Sequence, residues 1–167
     1  MEIVKGDITN QPDMDAIVNA ANAFLRKGGG VAGAIHAAAG DDLEREAVAL
    51  GPIKPGQAVI TAAYNLPNKH VIHCLGPVYE RDIPHDKLLA QCYTNALDLA
   101  EKHSLKSIAF AAISTGVFGY PVEEAASVAL NAIKDKVSFM NSVKTIRMVL
   151  FSDLDYQTHE NVLKNWK

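Results

Sequence analysis

Short runs dominated by apolar residues recur along this chain, with longer helix-periodic stretches between them. Residues 3–4, 16–18, 58–61, 71–74, 108–111 and 146–151 are rich in β-branched side chains. They lack the strict in–out alternation of a half-buried strand. Unbroken apolar character in so short a run means that both faces are covered, which predicts a sheet lying between helical layers. Over 86–103, Leu88, Leu89, Cys92, Tyr93, Ala96, Leu97 and Ala100 fall on one helical stripe, and Lys102 and His103 close it at the negative end of the dipole. The stretch 121–136 opens on Pro121, a good first-turn residue, and turns Val122, Ala125, Ala129, Ala132 and Ile133 inward. The alanine-rich stretch 31–39 reads as a third helix. Asp41 is predicted to cap another over 42–50, stopped by Gly51 and Pro52, and a last one runs from Asp155 to the end with Trp166 packing back. No linker, repeat or low-complexity segment interrupts the series. Strands alternating with helices predict an α/β fold, a three-layer α/β/α sandwich formed by residues 1–167 as one domain.

Composition narrows the chemistry. A chain of 167 residues buries about 68–70% of its unfolded surface, enough for a core and a pocket without staples. Sixteen basic against nineteen acidic residues leave a net charge of −3, which argues against wrapping nucleic acid or a polybasic membrane contact. Two cysteines, Cys74 and Cys92, form neither a disulfide framework nor a metal pair, so a reducing, cytoplasmic setting is expected. The chain passes from Met1 straight into a strand, with no export leader expected. Its longest charge-free stretch, 107–122, is broken by Gly116, Gly119 and Pro121. A membrane span needs about 20 apolar residues. The chemistry therefore has to come from loops.

Two glycine loops stand out. Gly28-Gly29-Gly30-Val31-Ala32-Gly33 opens a helix, and no acidic residue lies between Gly28 and Gly40. A neutral first turn leaves the positive dipole end and its free N–H groups available to an anion. A tight crossing that simply needs small residues is the competing explanation. The second loop, Ser114-Thr115-Gly116-Val117-Phe118-Gly119, follows the strand near Ile113 and supplies further N–H donors, hydroxyls and an aromatic ring. Two such loops at strand ends make the crevice that open α/β sheets use for ligands. Neither carries GK[ST], which disfavours a triphosphate with Mg²⁺ and favours a diphosphate held by backbone amides. A Rossmann dinucleotide site is rejected: nine residues, Asn19 to Lys27, intervene between the strand and Gly28, and the strand near Val59 ends without an acid.

The order and spacing of Gly6-Asp7-Ile8-Thr9, of Asp15-Ala16-Ile17-Val18-Asn19-Ala20-Ala21-Asn22, of the triple glycine, of Val71-Ile72-His73-Cys74-Leu75-Gly76-Pro77 and of the 114–119 loop resemble the macrodomain family across essentially the whole chain. The resemblance implies a mixed, mostly parallel central sheet and a cleft for ADP-ribose. It implies hydrolysis of ADP-ribosyl esters, on mono-ADP-ribosylated proteins or O-acetyl-ADP-ribose, with no cofactor and no metal; a monomer is expected. Asp7 matches the aspartate that accepts the adenine amino group, and Ile8 matches its backbone-contacting neighbour; Asp7 is equally suited to cap the following turn. Asn22 matches the asparagine that holds the distal ribose and serves catalysis; as a turn residue it competes with Asn19, the better placed of the two. Gly29, Gly30, Val31 and Gly33 match one phosphate loop, and Ser114, Gly116, Val117 and Phe118 match the other, with Phe118 against the distal ribose. Phe151 is the candidate adenine-facing aromatic, with a core position as the alternative and Tyr156 as the fallback.

One departure matters. Hydrolases of the MacroD type carry an aspartate after Gly-Gly-Gly-Val, where this chain has Ala32. Viral macrodomains with the same GGGVAG stretch are hydrolases, so Asn22 and the substrate's own phosphate could orient the water, leaving the protein to act by positioning and electrostatics. The alternative is a module that reads ADP-ribose without cleaving it. Other constellations give less. His70 and His73, three apart on a strand, point to opposite faces and do not share a metal. His36 reads as a packed or surface histidine, Cys92 as core, and Glu123 and Glu124 as solvated residues of a helix first turn.

Overall fold

The structure is a computed structural model that describes residues 1–165, so the contact expected of Trp166 lies outside the described residues. Along the chain run β1 (Glu2–Lys5), β2 (Ala16–Ala20), α1 (Gly30–Ala39), α2 (Asp41–Val48), β3 (Ala58–Ala62), β4 (His70–Cys74), α3 (His85–Lys102), β5 (Ser107–Ala111), α4 (Val122–Val137), β6 (Thr145–Leu150) and α5 (Asp153–Lys164). The strands form one six-stranded sheet in the order β1-β6-β5-β2-β4-β3. All neighbours are parallel except β3, which runs antiparallel to β4.

Strand periodicity divides the core in two. On β2, Ala16 and Val18 enter one apolar cluster with Leu89, Cys92 and Leu97 of α3 and Leu130 and Ile133 of α4. Ile17, between them, enters a second cluster with Ile35 and Ala39 of α1 and Leu43 of α2. On β5, Ile108 and Phe110 face the first cluster while Ala109 and Ala111 face the second. Side chains alternate along a strand, so a strand buried on both faces must be apolar at every position. That is why these runs read as continuous, and the result is the three-layer α/β/α sandwich. The runs at 3–4 and 58–61 are the exceptions: they form the edge strands β1 and β3, half-buried along Ile3 and Val4 and along Ala58, Val59 and Ile60.

The start of the 42–50 helix needs correcting. Gly40, at φ +91°, is the single residue between α1 and α2, and Asp41 lies inside the first turn of α2. Reversing the chain in one residue calls for a left-handed backbone, which glycine adopts without strain. Asp41 instead pairs with Lys27 and shares the first turn with Asp42 and Glu44, where the dipole favours negative charge. The last helix starts earlier than expected, at Asp153, because the Ser152 hydroxyl accepts the Asp155 N–H at 3.1 Å and caps it.

The topology also locates a crevice. From β2 the chain leaves to α1 on one face, and from the adjacent β5 it leaves to α4 on the other. Diverging connections open a gap between two strands at their carboxyl ends. The two glycine loops are the segments that flank it.

Candidate functional site

The first wall is the β2–α1 loop. Asn22 closes it: its Oδ1 accepts the Arg26 N–H at 3.0 Å and its Nδ2 donates to the Arg26 carbonyl at 2.8 Å. Lys27 then ties the loop to α2, its N–H donating to Glu44 Oε2 at 2.6 Å. Helix α1 begins at Gly30 with no side-chain cap on Gly29 and no acid in its first turn. That is the arrangement expected of an anion-receptive helix start. Gly33 explains part of the glycine run: a Cβ there would stand 2.4 Å from the Gly28 carbonyl oxygen. At Gly29 and Gly30, by contrast, nothing lies within 4 Å of an added Cβ, so those positions border open space. Close packing therefore accounts for Gly33 but for neither Gly29 nor Gly30. Ala32 and half-buried Val31 face inward from the same turn.

The second wall is the β5–α4 loop. Ser114 sits at φ +69°, its carbonyl accepts the Tyr120 N–H at 3.0 Å, and the Gly119 N–H returns to Gly116 at 3.0 Å. The buried Ser114 hydroxyl has no partner within the protein. Val117 is fully exposed. Phe118 is half-buried against the cluster of Ala21, Leu25, Ala47, Ile53 and Leu75. Its carbonyl accepts the Tyr79 N–H at 2.9 Å, which couples this loop to the segment after β4. Tyr79 is in turn held by Glu124, which accepts its hydroxyl at 2.8 Å, so Glu124 does more than meet solvent.

Asp7, Ile8 and Phe151 lie just beyond the carboxyl ends of the paired strands β1 and β6. The Gly6 N–H donates to the Leu150 carbonyl at 2.9 Å, which brings the residues following both strands side by side. Asp7 Oδ1 accepts from the Thr9 N–H and hydroxyl at 2.9 and 2.7 Å, the turn geometry foreseen as its structural role. The residue is nonetheless exposed, and its second carboxylate oxygen is not used in that turn. Ile8 is buried, its side chain in the cluster with Ile17 and Ile35. Phe151 lies just past the end of β6 and is 83% exposed, which removes the core alternative. Tyr156 packs against the main core instead.

The turn expected of Asn19 is made by Asn22. Asn19 is buried in β2, where its Nδ2 donates to His73 Nδ1 at 3.1 Å. This puts the His73 proton on Nε2, which donates to the Thr61 hydroxyl at 3.0 Å, and that hydroxyl donates to the Ala62 carbonyl at 2.9 Å. Burial, and then the nearby His36 ring at 6.4 Å, push the His73 pKa down to about 3. His36 is also lowered by burial, and neither of its ring nitrogens has a partner within the protein. His70 lies on the other face of the sheet, its ring 5.6 Å from His103. Among the described residues no three His, Cys, Asp or Glu side chains gather as a metal site. Both cysteines are free and buried, and Cys92 Sγ donates to the Leu75 carbonyl at 3.2 Å. Among the described residues no helix is long and apolar enough to cross a membrane.

Sequence reasoning gave no role to Gly76 or Tyr79. A Cβ on Gly76 would fall 2.1 Å from Ser114 Oγ, so this glycine lets the β4–α3 loop close on the second wall. The segment at 71–77 was visible as a motif; the contact behind it was not. Two further cavities lie outside the crevice. One, of about 370 Å³, is lined by Glu123 and by Thr158 and Asn161 of α5. The other, of about 500 Å³, lies between the α2–β3 loop and α3.

The Macro domain family model matches residues 18–129. A Macro domain-containing protein of Caldanaerobacter subterraneus is 45% identical over 164 residues, covering 95% of this chain and 93% of that protein. The ADP-ribose glycohydrolase MACROD2 of Xenopus laevis is 45% identical over 166 residues, covering 97% of this chain but 39% of that longer protein. Among solved structures, the Oceanobacillus iheyensis macrodomain with ADP superposes with a TM-score of 0.91 at 42% identity, covering 97% of this chain and 88% of that one. The Trypanosoma brucei macrodomain in complex with ADP-ribose superposes with a TM-score of 0.90 at 37% identity, covering 96% and 68%.

Proposed function

The chain belongs to the macrodomain family, and from that premise we propose that it binds ADP-ribose in the crevice between the two glycine loops and hydrolyses ADP-ribosyl esters. The observation that carries this reading is the uncapped, acid-free start of α1 at the point where β2 and β5 send the chain to opposite faces. A diphosphate placed there meets free N–H groups and the positive end of the helix dipole, so a net charge of −3 is no obstacle.

The remaining contacts follow the line of the crevice. Asp7 accepts the adenine amino group through the oxygen its turn leaves unused, Ile8 contributes its backbone, and Phe151 lies against the base. Gly29, Gly30, Val31 and Gly33 receive one side of the diphosphate, and Ser114, Gly116 and Val117 receive the other. Asn22 and Phe118 hold the distal ribose. Water then attacks the ester, releasing ADP-ribose and the free carboxylate. With Ala32 in place of an acid, the water is oriented by Asn22 and the substrate's phosphate, and the protein contributes position and electrostatics.

A reader that binds without cleaving is the second reading, and the absence of a carboxylate from the first turn of α1 is what favours it. Calorimetry with ADP-ribose and AMP tests binding; a micromolar constant corresponds to about −8 kcal/mol. Incubation with a mono-ADP-ribosylated protein separates the two readings. Release of ADP-ribose that disappears in Asn22→Ala supports the hydrolase, whereas tight binding without release supports the reader.

A further inference from the structure

Three features outside the proposed ligand contacts lie next to one another. Phe24, in the β2–α1 loop, is 62% exposed although both neighbours are anchored. The Ala23 carbonyl accepts the Ile53 N–H at 2.9 Å, and Leu25, at φ +60°, is sunk in the core. The loop thus holds Phe24 outward in a fixed place. Leu50, two residues past the end of α2, is 44% exposed. Beside it opens the cavity of about 500 Å³, lined mainly by the apolar Leu50, Pro52, Ile53, Ala58, Val59 and Leu99, with Gln57, Asn95, Asp98 and Lys102 as its polar part. Ile53 belongs to all of this at once: it bonds to Ala23, packs in the cluster that Phe118 joins, and lines the cavity.

Direction across the sheet says what reaches this place. Asp7 follows β1 and Asn22 follows β2, and the strand order continues from β2 to β4 and then β3. A ligand with its base at Asp7 and its distal ribose at Asn22 therefore points its attached group toward β4 and β3. The cavity begins at β3, two strand spacings or about 10 Å from β2. Extended peptide advances about 3.3 Å per residue, so a side chain within about three positions of the modified one reaches it.

We propose that the polypeptide carrying the ADP-ribose leaves the crevice over Phe24 and seats a flanking apolar side chain in the cavity behind Leu50, so that this face selects among modified proteins. The inference rests on the ADP-ribose reading above. The side chain it seats is apolar because six of the ten lining residues, Leu50 and Ile53 among them, are apolar. The occupant is a substrate polypeptide rather than a free metabolite because the cavity lies outside the glycine loops, on the β3 side of the sheet toward which the group attached to the distal ribose points.

The test uses the full chain and a hydrolysis-resistant, ADP-ribosylated peptide with leucine two residues from the modified position, beside the same peptide with serine there. The leucine conjugate should bind at least tenfold more tightly than ADP-ribose alone, and the serine conjugate should not. Phe24→Ala and Leu50→Glu should erase that advantage while leaving the affinity for free ADP-ribose within twofold. Failure to bind ADP-ribose at all overturns the functional reading, and this inference with it. Normal ADP-ribose binding with no leucine advantage, or an advantage that survives Leu50→Glu, overturns this inference alone. Self-association of the parent chain that Leu50→Glu abolishes would make the cavity a contact between copies, and would equally overturn it.

Discussion

Asn19 donates to His73 across 3.1 Å between neighbouring strands, with both side chains sealed from solvent. The pair holds a neutral imidazole under the β2–α1 loop, and that has a consequence for pH. A histidine in the unfolded chain titrates near 6.5. The fold keeps His73 neutral down to about 3, and burial lowers His36 and His159 as well. Above pH 6.5 both states are neutral and these groups add nothing. Below it the unfolded chain takes up protons that the fold refuses, so stability falls as pH drops from 6.5 toward 3. One such group contributes a slope of up to about 1.4 kcal/mol per pH unit. Urea titrations at pH 7 and pH 5 should show the loss, and NMR should find the His73 ring neutral at pH 5. A ring protonated at pH 5 would contradict it.

Asn22 has two duties that one pair of substitutions separates. Its two bonds to Arg26 contribute about 1 kcal/mol each, so Asn22→Ala should lower unfolding stability by about 1–2 kcal/mol and stop ADP-ribose release. Asn22→Asp keeps the acceptor for the Arg26 N–H but loses the donor and adds negative charge. It should recover part of the stability and none of the release. Recovery of both would mean that the side chain serves only the turn.

Gly33 sits where a methyl group meets the Gly28 carbonyl at 2.4 Å. Gly33→Ala must push the loop away from the start of α1, a strain on the order of 1–3 kcal/mol. A lower melting temperature together with weakened ADP-ribose binding is expected. Unchanged affinity would place the diphosphate elsewhere.

Ala32 occupies the first turn of α1, which carries no acid. Ala32→Asp puts a negative charge near the proposed diphosphate. An interaction of about 1 kcal/mol at a helix start corresponds to about fivefold weaker ADP-ribose binding, readable by calorimetry. Tighter binding would show that the anion does not lie at this turn.

The two phenylalanines should separate by ligand. Phe151 is 83% exposed, so Phe151→Ala should change stability by less than about 0.5 kcal/mol while weakening AMP and ADP-ribose alike. Phe118→Ala should weaken ADP-ribose and spare AMP, with some loss of stability because the ring packs against Leu25 and Ile53.

The amino-acid pattern alone determined what depends on residues close in sequence. Continuous apolar runs signalled strands buried on two faces, the stripe from Leu88 to Ala100 signalled α3, and the acid-free glycine run signalled an open helix start. Burial period and backbone freedom are local properties, so they are written locally. Tertiary structure decided what depends on partners far apart along the chain. The reversal of β3 against β4, the burial of Asn19 on His73 fifty-four positions away, and the contact of Gly76 with Ser114 all follow from strand pairing. The boundary at Gly40 rather than Asp41 belongs with them, because Ala39 of α1 and Leu43 of α2 enter the same apolar cluster from either side of the turn. Asn19 and Asn22 show the limit most plainly: two identical amides three residues apart, one drawn into the core by a neighbouring strand and the other left at the mouth of the crevice.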